Sequence, residues 1–402
     1  MISVAEALEI VTTKARDFGM TSIPLSDGIG RVLREDISAD RDMPPYDRVT
    51  MDGIAIQYKD YEQGVKTFHV VGVAAAGAEQ MTLTVSGECL EVMTGAIVPK
   101  GLDTVIPYEE INIEDQRATI NEKPLTKLQN IHFKGFDRKT GDVVIKSGQI
   151  LSSTEIGVCA TVGKSKVKVS RLPKTVIIST GDELVEIDEQ PLAHQIRKSN
   201  IYRLKTALSH YGATVDMAHL DDEYDTIIDK LRTILNDYEL VILSGGVSKG
   251  KFDFLPQALE ELGVEKHFHR ISQRPGKPFW FGSFQDQSTV FAFPGNPVSS
   301  FMCMQRYFKT WLNHSLQISH INSPYAVLGA DVHFKPNLTY FLEVKLNFSP
   351  TGEIVAMPVK GNGSGDLANL VDADAFVELP MGRDDFHKGE KYPILTYRES
   401  LI

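Results

Sequence analysis

At 402 residues the chain is too long for a single hydrophobic core, and roughly two to four domains are expected. Its hydrophobic fraction of 42% and charged fraction of 24% are typical of folded globular proteins, which excludes disordered and fibrous classes. A formal net charge of −11 disfavours nucleic acid as a partner, because phosphate neutralisation requires clustered cations.

The cysteines and the first residues indicate the cell interior. Cys89, Cys159 and Cys303 lie far apart and are odd in number, which argues against a disulfide framework and a closed thiolate zinc site. The first twenty residues lack a basic start and an apolar centre, and no apolar run approaches the ~18 residues needed to span a bilayer. The sequence therefore predicts a cytoplasmic protein without membrane insertion.

The N-terminal half is predicted to combine helices with a β-rich insertion. Apolar residues at helical spacing predict a helix over 3–18, and Ser3 with Glu6 forms a capping box. Short apolar runs broken by Gly and Pro predict a β-rich unit over about 36–135. A short helix over 152–163 then returns the chain toward the first helix.

From residue 174 the pattern alternates between strand and helix, which favours a doubly wound parallel sheet covered on both faces. The predicted helices cover residues 200–211, 224–235, 254–262 and 297–312. After about residue 320 polar and apolar residues alternate again, as is typical of a small β-barrel or sandwich.

Three glycine-bearing loops follow strands of the α/β segment: STGDEL (179–184), SGGVSKGKFD (244–253) and FPGNPVSS (293–300). Ligands of doubly wound sheets bind beyond the carboxyl ends of the strands. Gly245 and Gly246 allow backbone N–H groups to converge on a phosphate or similar oxyanion, although a tight turn alone also explains them. The spacing matches neither the Walker loop nor G-x-G-x-x-G, which disfavours ATP-cradle and nicotinamide readings.

Carboxylates lie beside these loops. Asp253 would repel a phosphate unless a cation lay between them, and Mg²⁺ bridges carboxylates to phosphates. Asp182, Glu183, Asp221 and Asp222 lie at neighbouring strand ends. Helix capping explains each acid singly, but their coincidence at three loops favours a magnesium site.

Cations accompany the same segment. Arg274 and Lys277 flank a Pro-Gly turn and could both face one oxyanion, or could be solvated surface charges. The FPGNP turn is rigid and precedes a helix, so it could receive an anion or a ribose, or simply end the strand. His267 and His269 fit a basic face better than a metal pair, because no carboxylate or cysteine accompanies them.

Six motifs in order and spacing identify a resemblance: PPYDRVTMDGIA (44–55), EVMTGAIVP (91–99), STGDEL, SGGVSKGKFDF (244–254), RPGKPFWFG (274–282) and FPGNPVSS. Essentially end to end, the chain resembles the MoeA family of molybdopterin molybdenumtransferases, to which the E domains of gephyrin and Cnx1 are related. The resemblance implies an elongated homodimer and four domains. These are an elongated domain I (1–38 with 138–170), a β-rich domain II (39–137), a MogA-like α/β molybdopterin-binding domain III (171–316) and a β-barrel domain IV (317–402).

The resemblance also implies a reaction. Molybdenum from molybdate is inserted into adenylylated molybdopterin with Mg²⁺-dependent cleavage of the phosphoanhydride, giving molybdenum cofactor and AMP. The glycine loop would then hold the phosphates of the pterin nucleotide. A transient contact with molybdopterin adenylyltransferase is also implied.

The site residues carried over by position fall into two groups. The catalytic acids are Asp52, contributed by the partner subunit, and Glu183, Asp221 and Asp253, which also hold the metal; Asp222 remains an alternative to Asp221. Substrate-binding residues are Thr94, Thr180, Gly181, Asp182, Asp222, Ser244, Gly245, Gly246, Val247, Ser248, Arg274, Lys277, Pro294, Gly295, Asn296, Pro297 and Ser364. Arg274, Lys277 and Ser364 would face molybdate.

The chain departs from the family pattern at several positions. Arg48, Val49 and Thr50 replace Asn-Ser-Ala, Arg274 replaces a lysine, His132 replaces an arginine, and Glu343 stands near FLEVKL where an arginine is expected, with Lys345 two residues on. Affinity for molybdate is therefore the open point. Alternatives are a molybdopterin adenylyltransferase, whose fold resembles only 170–315, a non-catalytic ligand-binding scaffold, and a relative acting on tungstate.

Overall fold

The computed structural model describes residues 1–209, 211–247, 253–321 and 323–398. The chain divides into two compact units. The large unit contains Met1–Glu35, Ser147–Ser153 and Lys166–Ile402, and the small unit contains Asp36–Lys146 and Thr154–Ser165. Among the described residues, no helix is long and apolar enough to cross a bilayer.

The small unit is built on a six-stranded sheet with a core on each face. In spatial order its strands are Thr104–Pro107, Gly53–Ile56, Glu88–Val92, Thr67–Ala74, Arg117–Ile120 and Ile111–Glu114. Side chains alternate across a strand, so Ile54 packs in one core and Ala55 in the other. A Cβ atom at Gly53 would lie 1.9 Å from the carbonyl oxygen of Ile106, so only glycine fits there.

Shorter elements complete the small unit. Two ribbons pair Ile37–Ser38 with Val143–Ile145 and Arg48–Val49 with Ile131–His132. A one-turn helix covers Tyr58–Glu62, and the predicted return helix is observed as Ser153–Thr161.

The N-terminal helix of the large unit covers Val4–Thr13, with the predicted capping box between Ser3 and Glu6. The predicted end at residue 18 is wrong by about one turn. The helix stops early because the carbonyl oxygen of Lys14 accepts a hydrogen bond from Trp311 Nε1 at 3.1 Å. The strand Met20–Pro24 then pairs with Lys166–Ser170.

A six-stranded sheet forms the centre of the large unit. In spatial order its strands are Val215–Leu220, Thr175–Thr180, Leu240–Ser244, Ser288–Phe293, Trp280–Phe284 and Glu265–His269. The first four are parallel and the last two are antiparallel. Ile242 packs in one core, whereas Val241 and Leu243 pack in the other, so the predicted doubly covered sheet is confirmed.

The helices of this sheet lie close to their predicted positions. They are Asn200–Ser209, Tyr224–Asp237, Leu255–Glu261 and a continuous helical segment made of Pro297–Cys303, the π-helical Met304–Phe308 and Lys309–Ser315. Alternation of strand and helix in the sequence was therefore sufficient to predict this layer.

A closed five-stranded barrel ends the large unit. Its strands are Tyr325–Leu328, Thr339–Phe348, Ile354–Pro358, Ala375–Leu379 and Lys391–Thr396. It closes because the long strand Thr339–Phe348 pairs with both Ile354–Pro358 and Ala375–Leu379. The short strand Gln273–Arg274 adds to the same long strand, which ties the RPGKP turn to the barrel. Smaller elements are Leu184–Val185, Ile196–Arg197, Val332–His333, Asp385–Phe386 and the helix Asn369–Asp372.

Candidate functional site

A cavity of about 780 Å³ lies at the carboxyl ends of three parallel strands of the large unit, Thr175–Thr180, Leu240–Ser244 and Ser288–Phe293. We call it the first cavity. All three loops predicted at strand ends line it. Its volume is within the ordinary range for small-molecule sites, and its position is the usual one in a doubly wound sheet.

The glycine loop approaches the neighbouring strand end closely. Gly245 and Gly246 have φ of +108° and +66°. A Cβ atom on Gly245 would lie 2.7 Å from Thr180 Oγ1, and one on Gly246 would lie 2.8 Å from Leu255 Cδ1. Both glycines are required by the backbone, and both expose their main chain to the cavity. Ser248, also predicted here, lies outside the described residues.

Three carboxylates line the first cavity: Glu183, Asp222 and Asp253. The carboxylate of Asp182 instead accepts the backbone N–H of Asp222 at 3.0 Å and so fixes that loop. Burial raises the pKa of Asp222, and the negative charges of its three acidic neighbours raise it further. These acids therefore repel one another, and a divalent cation bound between them would relieve that repulsion.

Asp221 lies elsewhere. Its carboxylate is 3.6 Å from His219 Nε2 and 3.7 Å from Lys230 Nζ, and it is not among the residues lining the cavity. Of the two neighbours that sequence left open, the geometry places Asp222 beside the other acids. Within the described residues, no cluster of three His, Cys, Asp or Glu side chains is already arranged to hold a metal.

Several lining residues, Lys198 and Asn200 among them, were not predicted from the sequence. Lys198 is buried and its Nζ lies 2.6 Å from Glu186 Oε1. Asn200 donates from Nδ2 to Ser244 Oγ at 3.0 Å and to the carbonyl oxygen of Gly295 at 2.7 Å, so it ties two of the cavity loops together. The only available signal was a Ser-Asn pair at a helix start, which reads as an ordinary cap.

A second cavity of about 380 Å³ adjoins the first and shares Pro278, Pro294 and Asn296 with it. Arg274 and Lys277 both line it, as the interpretation of one shared oxyanion requires. Ser364 lines it too, and its hydroxyl accepts a hydrogen bond from Asn296 Nδ2 at 2.9 Å.

The turn carrying the two cations is tightly packed. Gly276 has a φ of +84°, and a Cβ atom there would lie 2.6 Å from Cys303 Sγ. The guanidinium of Arg274 lies 6.0 Å from the ring centroid of Phe334, which stacks on Tyr340 at 4.2 Å. The backbone of this turn is therefore fixed by packing, whereas the side chains of Arg274 and Lys277 are exposed and reach into the second cavity from its rim.

Glu343 also lines the second cavity, and burial raises its pKa. Its Oε2 accepts a hydrogen bond from Asn369 Nδ2. Lys345 does not replace the arginine expected near this position, because its Nζ pairs with Asp374 Oδ1 at 2.9 Å. Glu343 therefore adds a carboxyl to the cavity wall that Lys345 does not neutralise.

The remaining predicted residues belong to the small unit. Asp52 Oδ1 accepts hydrogen bonds from the backbone N–H and the hydroxyl of Thr94 at 2.6 and 2.7 Å, and these bonds lower the pKa of Asp52. Arg48 donates to His132 Nδ1 at 3.2 Å, so two of the departures from the family pattern contact each other across paired strands. His132 Nε2 contacts Asp137 Oδ1 at 3.0 Å.

The two histidines of the basic segment have separate partners. His267 Nε2 lies 2.8 Å from Ser283 Oγ, whereas His269 Nε2 lies 3.0 Å from the carbonyl oxygen of Val247. His269 thus supports the glycine loop from behind.

Fold and site together define a class: a multidomain protein whose doubly wound α/β layer presents a glycine-loop cavity beside a cation-lined pocket. Three family models match the chain: the MoeA N-terminal region (domain I and II) over residues 2–163, the probable molybdopterin binding domain over 176–314, and the MoeA C-terminal region (domain IV) over 325–397. The chain belongs to the MoeA family.

Relatives and solved structures agree with this assignment. A Synechocystis protein named molybdopterin molybdenumtransferase is 42% identical over 400 residues, covering 99% of this chain and 100% of its own. A Staphylococcus epidermidis protein of the same name is 30% identical, covering 100% and 98%. The crystal structure of the molybdopterin biosynthesis MoeA protein from Pyrococcus horikoshii superposes with a TM-score of 0.85 at 27% identity, covering 99% and 100%. The resemblance, the fold class and the enzyme class predicted from the sequence are confirmed.

Proposed function

We propose that this chain inserts molybdenum from molybdate into adenylylated molybdopterin, cleaving the phosphoanhydride in an Mg²⁺-dependent step and giving molybdenum cofactor and AMP. The observation that carries the proposal is the pair of adjoining cavities, one with a group of three carboxylates and the other with a pair of cations, joined at Pro294 and Asn296. The first cavity suits a nucleotide phosphate bridged to the carboxylates by a metal, and the second cavity suits a free oxyanion. The names of the full-length relatives support the same reaction.

In the first cavity, Gly245 and Gly246 leave room for a phosphate against the backbone, and Asn200 holds the neighbouring loops in place. Glu183, Asp222 and Asp253 are the residues that would hold Mg²⁺. Burial and the negative charges of the neighbouring acids raise the pKa of Asp222, and a cation bound there would relieve that repulsion. When bound, Mg²⁺ supplies positive charge to offset the charge that builds on a phosphoanhydride during cleavage.

In the second cavity, Arg274 and Lys277 receive the molybdate dianion, and Ser364 contributes a hydroxyl. Charge-assisted hydrogen bonds of this kind are shorter and stronger than neutral ones, so two cations on one rigid turn provide much of the affinity. Tungstate has nearly the same size and charge as molybdate, and competition between them would measure the preference.

We further propose a cytoplasmic homodimer in which Asp52 and Thr94 of one protomer serve the first cavity of the other. The short hydrogen bonds between them keep the Asp52 carboxylate ionised and oriented.

Asp52→Asn and Asp253→Asn should each be inactive alone. Mixing the two and allowing protomers to exchange should restore about a quarter of wild-type activity, since half of the dimers then contain one intact site. The implied transient contact with the adenylyltransferase remains a prediction.

The direct test of the reaction is molybdate-dependent release of AMP from adenylylated molybdopterin in the presence of Mg²⁺. Asp253→Asn should lose turnover by about 100-fold or more while remaining folded, because it removes a charge from the metal site and fills the same volume. Exposed Asp229 on the helix Tyr224–Asp237 is the matched control, and Asp229→Asn should retain activity. Release of AMP that does not depend on molybdate would contradict the proposal, and tight ligand binding without turnover would indicate a scaffold.

A further inference from the structure

A carboxyl group sits in the wall of a cavity whose other charges are positive. Glu343 lies on the strand Thr339–Phe348 and lines the second cavity together with Arg274 and Lys277. An ionised carboxylate there would repel a dianion and would cancel part of the attraction of the two cations. The cavity therefore has two electrostatic states, and the proton on Glu343 decides between them.

The surroundings of Glu343 leave one of its oxygens for that proton. Its Oε2 accepts a hydrogen bond from the side chain of buried Asn369. Gly361 closes over this pair, because a Cβ atom there would lie 3.0 Å from Glu343 Oε2 and 2.7 Å from Asn369 Nδ2. A neutral carboxyl has one accepting oxygen and one O–H donor. With Oε2 accepting from the amide, the other oxygen carries the donor.

The ionisable groups that face Glu343 do not neutralise it. Burial raises the pKa of the Glu343 carboxyl, the hydrogen bond from Asn369 partly opposes this, and the negative charge of Asp366 raises the pKa further. Tyr340 and Tyr397 are neutral phenols whose own pKa values are raised by burial and by the charge of Glu343. The cations Arg274 and Lys277 line the same cavity, but in the described part of the chain neither forms an ion pair with Glu343 within 4.0 Å.

Other nearby cations are committed elsewhere. Lys345 pairs with Asp374 at 2.9 Å, and Arg398 donates to the carbonyl oxygens of Leu370 and Val371 at 3.0 and 2.7 Å. Neither Lys345 nor Arg398 therefore pairs with Glu343.

We propose that Glu343 determines the specificity of the second cavity: in its protonated form it donates a hydrogen bond to a fully ionised tetrahedral oxyanion, so that binding of the oxyanion requires a proton. This inference rests on the proposed function, because it assigns the chemistry of the same oxyanion site. Molybdate, tungstate and sulfate accept such a bond and offer none. Inorganic phosphate, which retains a proton near neutral pH, can donate to the ionised carboxylate instead and should show a weaker dependence on pH.

The test is calorimetric titration of the whole protein with molybdate between about pH 5.5 and pH 8.5, in buffers of different ionisation enthalpy. Once Glu343 is ionised in the free protein, each molybdate bound should take up one proton. The affinity should then fall by up to about tenfold per pH unit. Glu343→Gln keeps an N–H donor, so it should bind molybdate with no such pH dependence and no proton uptake. Glu353→Gln, an exposed carboxyl of the same barrel, is the matched control and should behave as wild type.

The outcomes separate this inference from the proposed function. If wild type binds molybdate without proton uptake and Arg274→Gln abolishes that binding, the oxyanion site stands and the role of Glu343 is wrong. If Glu343→Gln binds molybdate at every pH and wild type binds it at none, Glu343 is ionised over the whole pH range. Donation of a hydrogen bond from Glu343 to the oxyanion is then disproved. If neither protein binds molybdate at any pH, the second cavity is not an oxyanion site and both proposals fail. Proton uptake is measured on wild type, so the test does not depend on the variants folding.

Discussion

The two adjoining cavities of the large unit share Pro278, Pro294 and Asn296 but differ in the charged groups that line them. Three carboxylates, Glu183, Asp222 and Asp253, line the first cavity beside Arg197 and Lys198, and Lys198 is already paired with Glu186. The second cavity has two cations, Arg274 and Lys277, and one carboxyl, Glu343. A nucleotide phosphate in the first would have to be met through a cation, and an oxyanion in the second is met directly by side chains. The contrast indicates that the two cavities recognise different anions, which favours a reaction that uses a nucleotide and a separate oxyanion as its two substrates.

The largest effect is expected from a comparison of two adjacent acids, Asp222 inside the first cavity and Asp221 outside it. Asp222→Asn should lower turnover by about 100-fold or more, because it removes a cavity carboxylate from the proposed metal site. Asp221→Asn should retain most activity, since its carboxylate faces His219 and Lys230 outside the cavity. Steady-state AMP release as a function of Mg²⁺ concentration is the measurement.

The reverse result for this pair, with Asp221 essential and Asp222 dispensable, would show that the loop rearranges when ligand binds. It would also remove the charge contrast on which the assignment of the two cavities depends.

The next effect concerns the cations of the second cavity. Arg274→Gln and Lys277→Gln should each raise the KM for molybdate by about 10- to 100-fold, the equivalent of losing one charge-assisted hydrogen bond. The KM for the pterin nucleotide should change little. Lys266→Gln serves as control because Lys266 belongs to the same basic segment but lies on the strand Glu265–His269, outside both cavities. Equal effects of all three variants would indicate general attraction by a basic face.

A smaller effect on turnover is expected from two glycine substitutions. Both strain the backbone, but only one places a methyl group against a neighbouring side chain. Gly245→Ala and Gly263→Ala both place alanine at a positive φ, +108° and +81°, and each should cost about 1 kcal/mol of stability. Only the methyl at Gly245 would also press against Thr180, at 2.7 Å, whereas the one at Gly263 meets nothing within 4 Å.

Turnover should therefore fall only for Gly245→Ala. Denaturant unfolding and AMP release on the same samples distinguish the two contributions. Loss of activity in Gly263→Ala as well would mean that stability alone limits turnover in this unit.

Much of this contrast could be predicted from the sequence, because it depends on local signals. Glycine and proline residues marked where the strands end in the sequence. Because the strands are parallel, their carboxyl ends lie at one edge of the sheet. The RPGKP spacing placed Arg274 and Lys277 together, and the motifs in order identified the family. The alternation of apolar and polar residues left barrel and sandwich open, since closure depends on Thr339–Phe348 pairing with Ala375–Leu379 across a long sequence separation.

The sequence could not predict which way side chains point or which residues contact each other across long sequence separations. Asp221 and Asp222 are adjacent in a loop, and nothing local decides which one turns toward the cavity. Lys198 reads as a surface lysine until the fold buries it against Glu186. The first helix ends where the carbonyl oxygen of Lys14 accepts a hydrogen bond from Trp311, which lies 297 residues further along the chain.

The smallest predicted effect tests the electrostatic cost of the first cavity in the absence of metal. The pKa of Asp222 is raised in the folded protein, so the carboxylate disfavours folding above that pKa, and the penalty disappears once the group is protonated. Asp222→Asn should therefore unfold at a higher temperature than wild type at neutral pH, by an amount equivalent to at most about 1 kcal/mol because the group is partly solvated. The difference should vanish as pH falls toward about 4.

Excess Mg²⁺ should reverse the order of the two thermal midpoints, since the ion stabilises only the protein whose carboxylate it contacts. A thermal midpoint of Asp222→Asn that is lower than wild type at every pH, with no response to Mg²⁺, would mean that Asp222 is a structural residue and that the acids of this cavity do not form a cation site.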